Sequence, residues 1–260
     1  MPFLTINDIN LYYEIKGQGE PILFIHGLGA STRDWEFQVD AFQDYQVITF
    51  DLRGHGKSDK PNQDYTVPLF AKDTALLIQT LSFQSVHVVG HSLGGMVAFQ
   101  LAVDHPKLVK TLTIVNSAPA VVFPRIRDHF TFFLRSVYVK LFGMHLLSSN
   151  LSKMLFPKPE QIKLREIFVK RWCENDPKAY LHALKAFRHW DILDKISKIA
   201  CPTLIIAAEN DYTPVELKEA YAKKMQNCEL VVIQDSGHLT IVDQYEIFNN
   251  TLRKFLLKNQ

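Results

Sequence analysis

Hydrophobic residues fall along this chain in two alternating rhythms. Short β-branched and apolar runs at 22–25, 47–50, 86–89, 112–115, 203–207 and 230–233 lack polar alternation, which predicts strands buried on both faces of a mainly parallel sheet. Between them, 33–42, 67–81, 93–103, 215–225 and 245–257 carry apolar residues at helical spacing, as the crossover helices of βαβ units do. Residues 9–15, with Leu11, Tyr13 and Ile15 alternating, read as part of an antiparallel edge hairpin. The rhythm breaks after Val115. From 117 to 198 there is no strand pattern, only helical stretches rich in Phe, Arg and Lys, and the sheet resumes at Pro202. The expectation is one α/β core, 1–116 and 199–260, with a helical cap, 117–198, inserted between two late strands.

Composition narrows this picture only slightly. At 260 residues, 47% of them hydrophobic, the chain is long enough for one well-buried core with an insertion. Residues 1–20 lack a basic start followed by an apolar run, and no apolar stretch approaches the roughly 18 residues of a membrane span, so a cytoplasmic location is expected. Cys173, Cys201 and Cys228 are odd in number and lack C-x-x-C spacing, which speaks against a disulfide framework or a zinc site. They are expected to be reduced and mostly buried, and no metal or cofactor is implied.

The chemistry concentrates in Gly90-His91-Ser92-Leu93-Gly94, which closes the apolar run 86–89 and opens a helical stretch. A serine at a strand-to-helix corner has its hydroxyl exposed, and the corner aims backbone N–H groups at a developing oxyanion. The glycines suit a corner where a side chain would collide with neighbouring strand and helix. Such a serine needs a base and an orienting carboxylate on loops after other strands. His238, in Asp235-Ser-Gly-His238 past the run 230–233, is the candidate base. Asp211, after 203–207, is the candidate acid, in the chain order Ser, acid, His. Glu209 and Asp235 are rival acids: Glu209 comes two residues early, and Asp235 lies so near His238 that it would more naturally shape the turn. The loop His26-Gly27-Leu28-Gly29 supplies a second oxyanion donor, so the N–H groups of Leu28 and Leu93 are the expected pair. His26 is expected to hold its loop by hydrogen bonds.

These motifs together resemble the α/β-hydrolase superfamily over nearly the whole chain. The resemblance is carried by H-G-x-G at His26 to Gly29, by Asp51-Leu-Arg53-Gly-His-Gly56-Lys-Ser58, by the corner at Ser92, by Asp211, and by Gly237-His238. It implies a hydrolytic serine, with Asp51 and Arg53 bracing the oxyanion loop. Relatives often have Gly where Ala208 precedes the acid turn. Ser92 excludes the dehalogenase and epoxide hydrolase branches, which use an Asp nucleophile, and Leu239 departs from the Trp that follows the catalytic His of carbon–carbon hydrolases. Haloperoxidases and lyases share the corner. Among subgroups the chain looks most like small bacterial esterases and enol-lactonases, and like the esterase acting on a pimeloyl methyl ester carried by acyl carrier protein.

Charge divides unevenly. Residues 117–198 hold fifteen Lys and Arg against seven Asp and Glu, a net +8, which leaves −6 for the rest of a chain whose total is +2. A basic cap would draw an anionic substrate such as a carboxylate-bearing lactone, a coenzyme A thioester or an acyl carrier protein conjugate. Dispersed charge on a solvated face is the other reading. Phe123, Phe130, Phe132, Phe133, Phe142 and Trp190 offer a pocket wall or cap packing, with Trp190 the candidate substrate contact. The mixture of Arg, Lys and aromatics over 125–147 also suits a membrane surface, the weaker reading. Nothing marks a nucleic-acid binder. The expected activity is a metal-independent serine esterase; a lactonase or a hydrolase of carrier-linked esters is the alternative, and a non-catalytic binding protein on this scaffold is the reading of another class.

Overall fold

A computed structural model describes residues 2–121, 126–187 and 189–260, and for 126–133 the backbone alone, so the side chains of Phe123, Phe130, Phe132 and Phe133 lie outside the described residues. Strands β1 (Phe3–Ile6) and β2 (Ile9–Lys16) form the edge hairpin. Its two-residue turn, Asn7 and Asp8, has φ of 49° and 65°, the left-handed pair that matches strand twist in a tight hairpin. Then come β3 (Pro21–Ile25), α1 (Glu36–Ala41), β4 (Gln46–Phe50), α2 (Val67–Thr80), β5 (Val86–His91), α3 (Leu93–Asp104) and β6 (Val109–Val115). Helices α4 (Ile126–Leu155), α5 (Ile162–Cys173) and α6 (Pro177–Lys185) separate β6 from β7 (Thr203–Ala208). The chain closes with α7 (Val215–Ala222), β8 (Cys228–Ile233), α8 (Thr240–Asp243) and α9 (Tyr245–Lys258).

The strands form one eight-stranded sheet in the order β1-β2-β4-β3-β5-β6-β7-β8, parallel from β4 to β8 and antiparallel at the β1 and β2 edge. After β3 the chain steps outward to β4, then returns to β5 on the other side of β3. Strand order therefore reverses between β3 and β5, where the loops after the two strands diverge and leave a crevice. Both the His26-Gly27 loop and the Ser92 corner leave the sheet there.

Burial explains the strand pattern. Along β3, Leu23 and Ile25 pack with residues of α2 and α3, whereas Ile22 and Phe24 pack on the opposite face with Trp35, Phe42, Phe248 and Leu252. Two details differ from the sequence reading. β8 is an edge strand, half-buried over most of its length, because no strand follows it. Cys173 is exposed at the end of α5 and the other two cysteines are half-buried; all three are free thiols. The helix α4 is broken at Gly143, whose φ of 71° and ψ of −174° are not helical. No helix of the described residues is long and apolar enough to cross a membrane.

One buried ion pair fastens the hairpin edge. Arg53 Nε and an N–H of its terminal group donate to the Asp73 carboxylate at 2.5 and 2.8 Å, and both side chains are almost wholly buried. Asp73 also accepts from Asn7 in the hairpin turn. Removing one member leaves the other charge buried without compensation, so Asp73→Ala should lower unfolding free energy by about 3–5 kcal/mol in urea titrations. The double variant Arg53→Met, Asp73→Leu should recover much of that loss.

Candidate active site

The corner at Ser92 is a place where three backbones meet. Ser92 has φ 54° and ψ −118°, a conformation rarely adopted by a non-glycine residue. Its N–H donates to Val115 O, and its carbonyl accepts from Gly95 N, Met96 N and Ser117 Oγ. A Cβ on Gly94 would sit 2.0 Å from Ile25 O, and one on Gly90 would sit 2.3 Å from Gly94 O. The glycines let α3 start in direct contact with β3.

Two loops at neighbouring strand ends bring the acid and the imidazole together. His238 Nδ1 and Asp211 Oδ1 are 2.8 Å apart, with Asp211 fully buried at its side chain. Glu209 instead accepts from Asp235 N, and Asp235 is ion-paired with Lys158, so neither rival carboxylate reaches the imidazole. Burial alone would raise the Asp211 carboxyl, but His238 and Lys218 outweigh it and hold it well below the usual carboxylate range. Lys218 is itself completely buried, 2.8 Å from Asp211 Oδ2, and also donates to Thr213 O. Its own pKa is lowered by burial, against the pull of Asp211.

The other imidazole nitrogen does not meet Ser92 in this structure. Among the described residues its hydrogen bond is to Tyr212, whose hydroxyl lies 2.8 Å from Nε2. With Nδ1–H given to Asp211, Nε2 is the acceptor and the phenol the donor. The Tyr212 ring leans on the imidazole with centroids 4.2 Å apart while 59% of the residue faces solvent. Ser92 is the next hydrogen-bonding neighbour of that phenol.

A second hub holds the histidine loop. Asn116, at φ 46° just past β6, donates through Nδ2 to His238 O and Thr240 Oγ1, and its Oδ1 accepts from Ala208 N. Asp243 accepts from Gly237 N and Ser236 Oγ. His91 Nε2 donates to His238 O. Tyr212, Lys218 and Asn116 were not singled out by the sequence. Asn116 and Tyr212 follow strands closely and Lys218 lies within α7, but the role of each rests on a partner that no sequence pattern names.

The loop after β3 closes the site from the other side. His26 Nε2 accepts from Leu52 N and Nδ1 donates to Gly27 O, so the ring ties the loop as expected. The backbone N–H groups of Leu28 and Leu93 have no hydrogen bond to another described residue. A Cβ on Gly27 would lie 3.3 Å from Ser92 Cβ, which shows how closely this loop approaches the corner. Asp51 braces it by accepting from Thr32 N, whereas Arg53 points to Asp73 and the hairpin instead.

The segment between β6 and β7 lies over this arrangement. Trp172 packs on Gly29, where an added Cβ would come within 3.0 Å of the indole, and Asn175 donates to Gly29 O. Trp190 is buried with its indole N–H given to Gln100, two turns along α3 from Ser92. Phe142 is exposed. Among the described residues no three His, Cys, Asp or Glu side chains gather as metal ligands would.

A family model described as alpha/beta hydrolase fold matches residues 20–245. The chain is 28% identical over 255 residues to the (E)-2-((N-methylformamido)methylene)succinate hydrolase of Acinetobacter baylyi, covering 96% of this chain and 95% of the relative. It is similar to the solved structure of an esterase from Exiguobacterium antarcticum, with 26% identity, a TM-score of 0.90 and coverage of 97% and 98%. The enol-lactonase of Burkholderia xenovorans LB400 superposes equally well, with a TM-score of 0.90 over 98% and 100% of the two chains, at 24% identity.

The buried histidines around the site make it acid-sensitive. Burial pushes His26 down to about 4, and His55 and His91 to about 3. Below the ordinary histidine value the unfolded chain takes up protons that the folded chain refuses, so stability falls with pH, by up to about 1.4 kcal/mol per pH unit per histidine between roughly pH 6 and 4. The carboxyls of Asp51 and Asp243, raised by burial, act in the opposite sense over part of that window. The net expectation is a loss of at least about 2 kcal/mol between pH 7 and pH 5 in urea unfolding. Equal stability at the two pH values would show that these rings are not held neutral.

Proposed function

The chain belongs to the α/β-hydrolase family, and from that premise we propose that it cleaves carboxylic esters through an acyl-enzyme on Ser92. The observation that carries the reading is the Asp211–His238 pair beside a strained serine corner that also presents two unspent backbone N–H groups. Asp211 holds the Nδ1 proton and so leaves Nε2 as the base. An entering substrate displaces the Tyr212 hydroxyl from Nε2, and the Ser92 hydroxyl then gives its proton to Nε2 as Oγ attacks the acyl carbon. Leu28 and Leu93 N–H bind the oxyanion, each lowering the barrier by about 3 kcal/mol. His238 returns the proton to the leaving alcohol, and water repeats the sequence to free the acid. Residues 117–198 serve as the cap, with Trp172 over the oxyanion loop.

A carboxylate-bearing ester or lactone is the second reading, favoured by the basic charge of 117–198 and by the succinate in the name of the Acinetobacter relative. Fluorophosphonate labelling separates an enzyme from a binding protein on the same scaffold, since only an activated serine reacts. Ser92→Ala should abolish both labelling and p-nitrophenyl butyrate turnover without lowering the melting temperature; retained turnover would remove Ser92 from the mechanism. Tyr212→Phe removes one hydrogen bond from Nε2, worth about 1 kcal/mol, so labelling of Ser92 should become about fivefold faster.

A further inference from the structure

Two buried polar atoms of the segment between β6 and β7 have no hydrogen-bond partner among the described residues. Arg135, on α4, has its Nε buried with no hydrogen-bond partner among the described residues, and the same holds for the hydroxyl of Tyr180 on α6. The two are neighbours: the guanidinium carbon lies 5.5 Å from the Tyr180 ring centroid and 5.8 Å from that of Trp172. No acidic side chain among the described residues forms an ion pair with Arg135. Tyr180 is 1% exposed. Burial raises its pKa, with Arg135 pulling the other way, so at neutral pH the phenol is a donor.

The position of this pair is fixed by what surrounds it. Trp172 rests on Gly29, the residue after the oxyanion donor Leu28. The Arg135 charge also reaches the Tyr212 phenol, where it opposes the rise in pKa that burial causes. A cation and a phenol therefore stand against the Trp172 indole that covers the oxyanion loop, with the Trp172 and Tyr180 ring centroids 5.9 Å apart. An unspent guanidinium N–H and a phenol O–H in such surroundings are costly unless a ligand satisfies them. A carboxylate does so, because its two oxygens match the guanidinium fork and accept from the phenol as well.

We propose that Arg135 and Tyr180 form a carboxylate subsite, so that the substrate is an ester or lactone carrying a second, ionised carboxyl group. This rests on the ester-hydrolase reading for its chemistry but makes a separate claim, point recognition by one guanidinium rather than diffuse attraction by a basic cap.

The test compares p-nitrophenyl butyrate with mono-p-nitrophenyl glutarate. The ratio of kcat/KM for the anionic over the neutral ester should fall about 30-fold in Arg135→Met and less in Tyr180→Phe, mainly through KM, as for a lost charge-assisted hydrogen bond. Lys163→Met, which removes an exposed cap charge, should leave the ratio unchanged. A ratio unaltered in Arg135→Met, or lowered as much in Lys163→Met, would overturn the subsite. If Arg135→Met does not fold, Tyr180→Phe and the salt dependence of the ratio decide. Calorimetric binding of glutarate to Ser92→Ala, set beside Ser92→Ala with Tyr180→Phe, tests the subsite without turnover. Loss of the ester-hydrolase reading would appear instead as turnover surviving in Ser92→Ala.

Discussion

Everything at the site depends on the absence of side chains where β3, β5 and α3 converge. Gly94 stands where a Cβ would be 2.0 Å from Ile25 O, and Gly95 where one would be 2.5 Å from Ser117 Cβ. Only with backbones this close can Ser92 turn from strand to helix in a single residue at φ 54°. Holding a serine there costs about 1–3 kcal/mol, offset by the helix that follows, most of which is buried. The strain has a structural result: Gly95 and Met96 N–H close on the Ser92 carbonyl, while the Leu93 N–H has no hydrogen bond to another described residue.

Charge around the imidazole is balanced by a lysine rather than by water. Asp211 is sealed from solvent, and its second oxygen meets Lys218. With His238 neutral, the buried carboxylate and ammonium cancel. In the proposed reading, His238 would carry a net positive charge into the group on taking the serine proton, and an oxyanion held at Leu28 and Leu93 would offset it. Lys218 thus helps keep the buried carboxylate ionised beside Nδ1, and in the proposed reading it makes the imidazolium more dependent on an opposite charge forming at the same moment.

Strands buried on both faces were legible because two-sided burial leaves an uninterrupted apolar run, as at Leu23 to Ile25 and Thr203 to Ala208. The strand β1 was not, since only Ile6 of its four residues is buried. The serine corner, Asp211 and His238 were readable as candidates because each immediately follows a strand. Tyr212 and Lys218 were not, because their meaning lies in a partner rather than in a pattern. A lysine in a short helix looks like any solvated position until its ammonium is found against a buried carboxylate. Counting cap charges could not separate Arg135 from the lysines around it.

The uneven charge is explained in part by where the pairs fall. Arg171 reaches Glu36 at 2.9 Å, Lys158 reaches Asp235 at 2.5 Å, and Lys185 with His182 holds Asp64 at 2.7 and 2.8 Å. In each case a basic group of 117–198 meets an acid of the body, at the start of α1 or on the loops that follow β8 and β4; Arg33 with Glu174 runs the other way. Such half-exposed pairs are each worth at most about 1 kcal/mol, so they position more than they stabilise. The firmer contact is central, where Trp172 packs on Gly29. A cover pinned by packing at one point and by exchangeable charges around its rim can part at the edge without losing its seat, which the proposed reading requires of residues that must admit an ester and then exclude water from its acyl-enzyme.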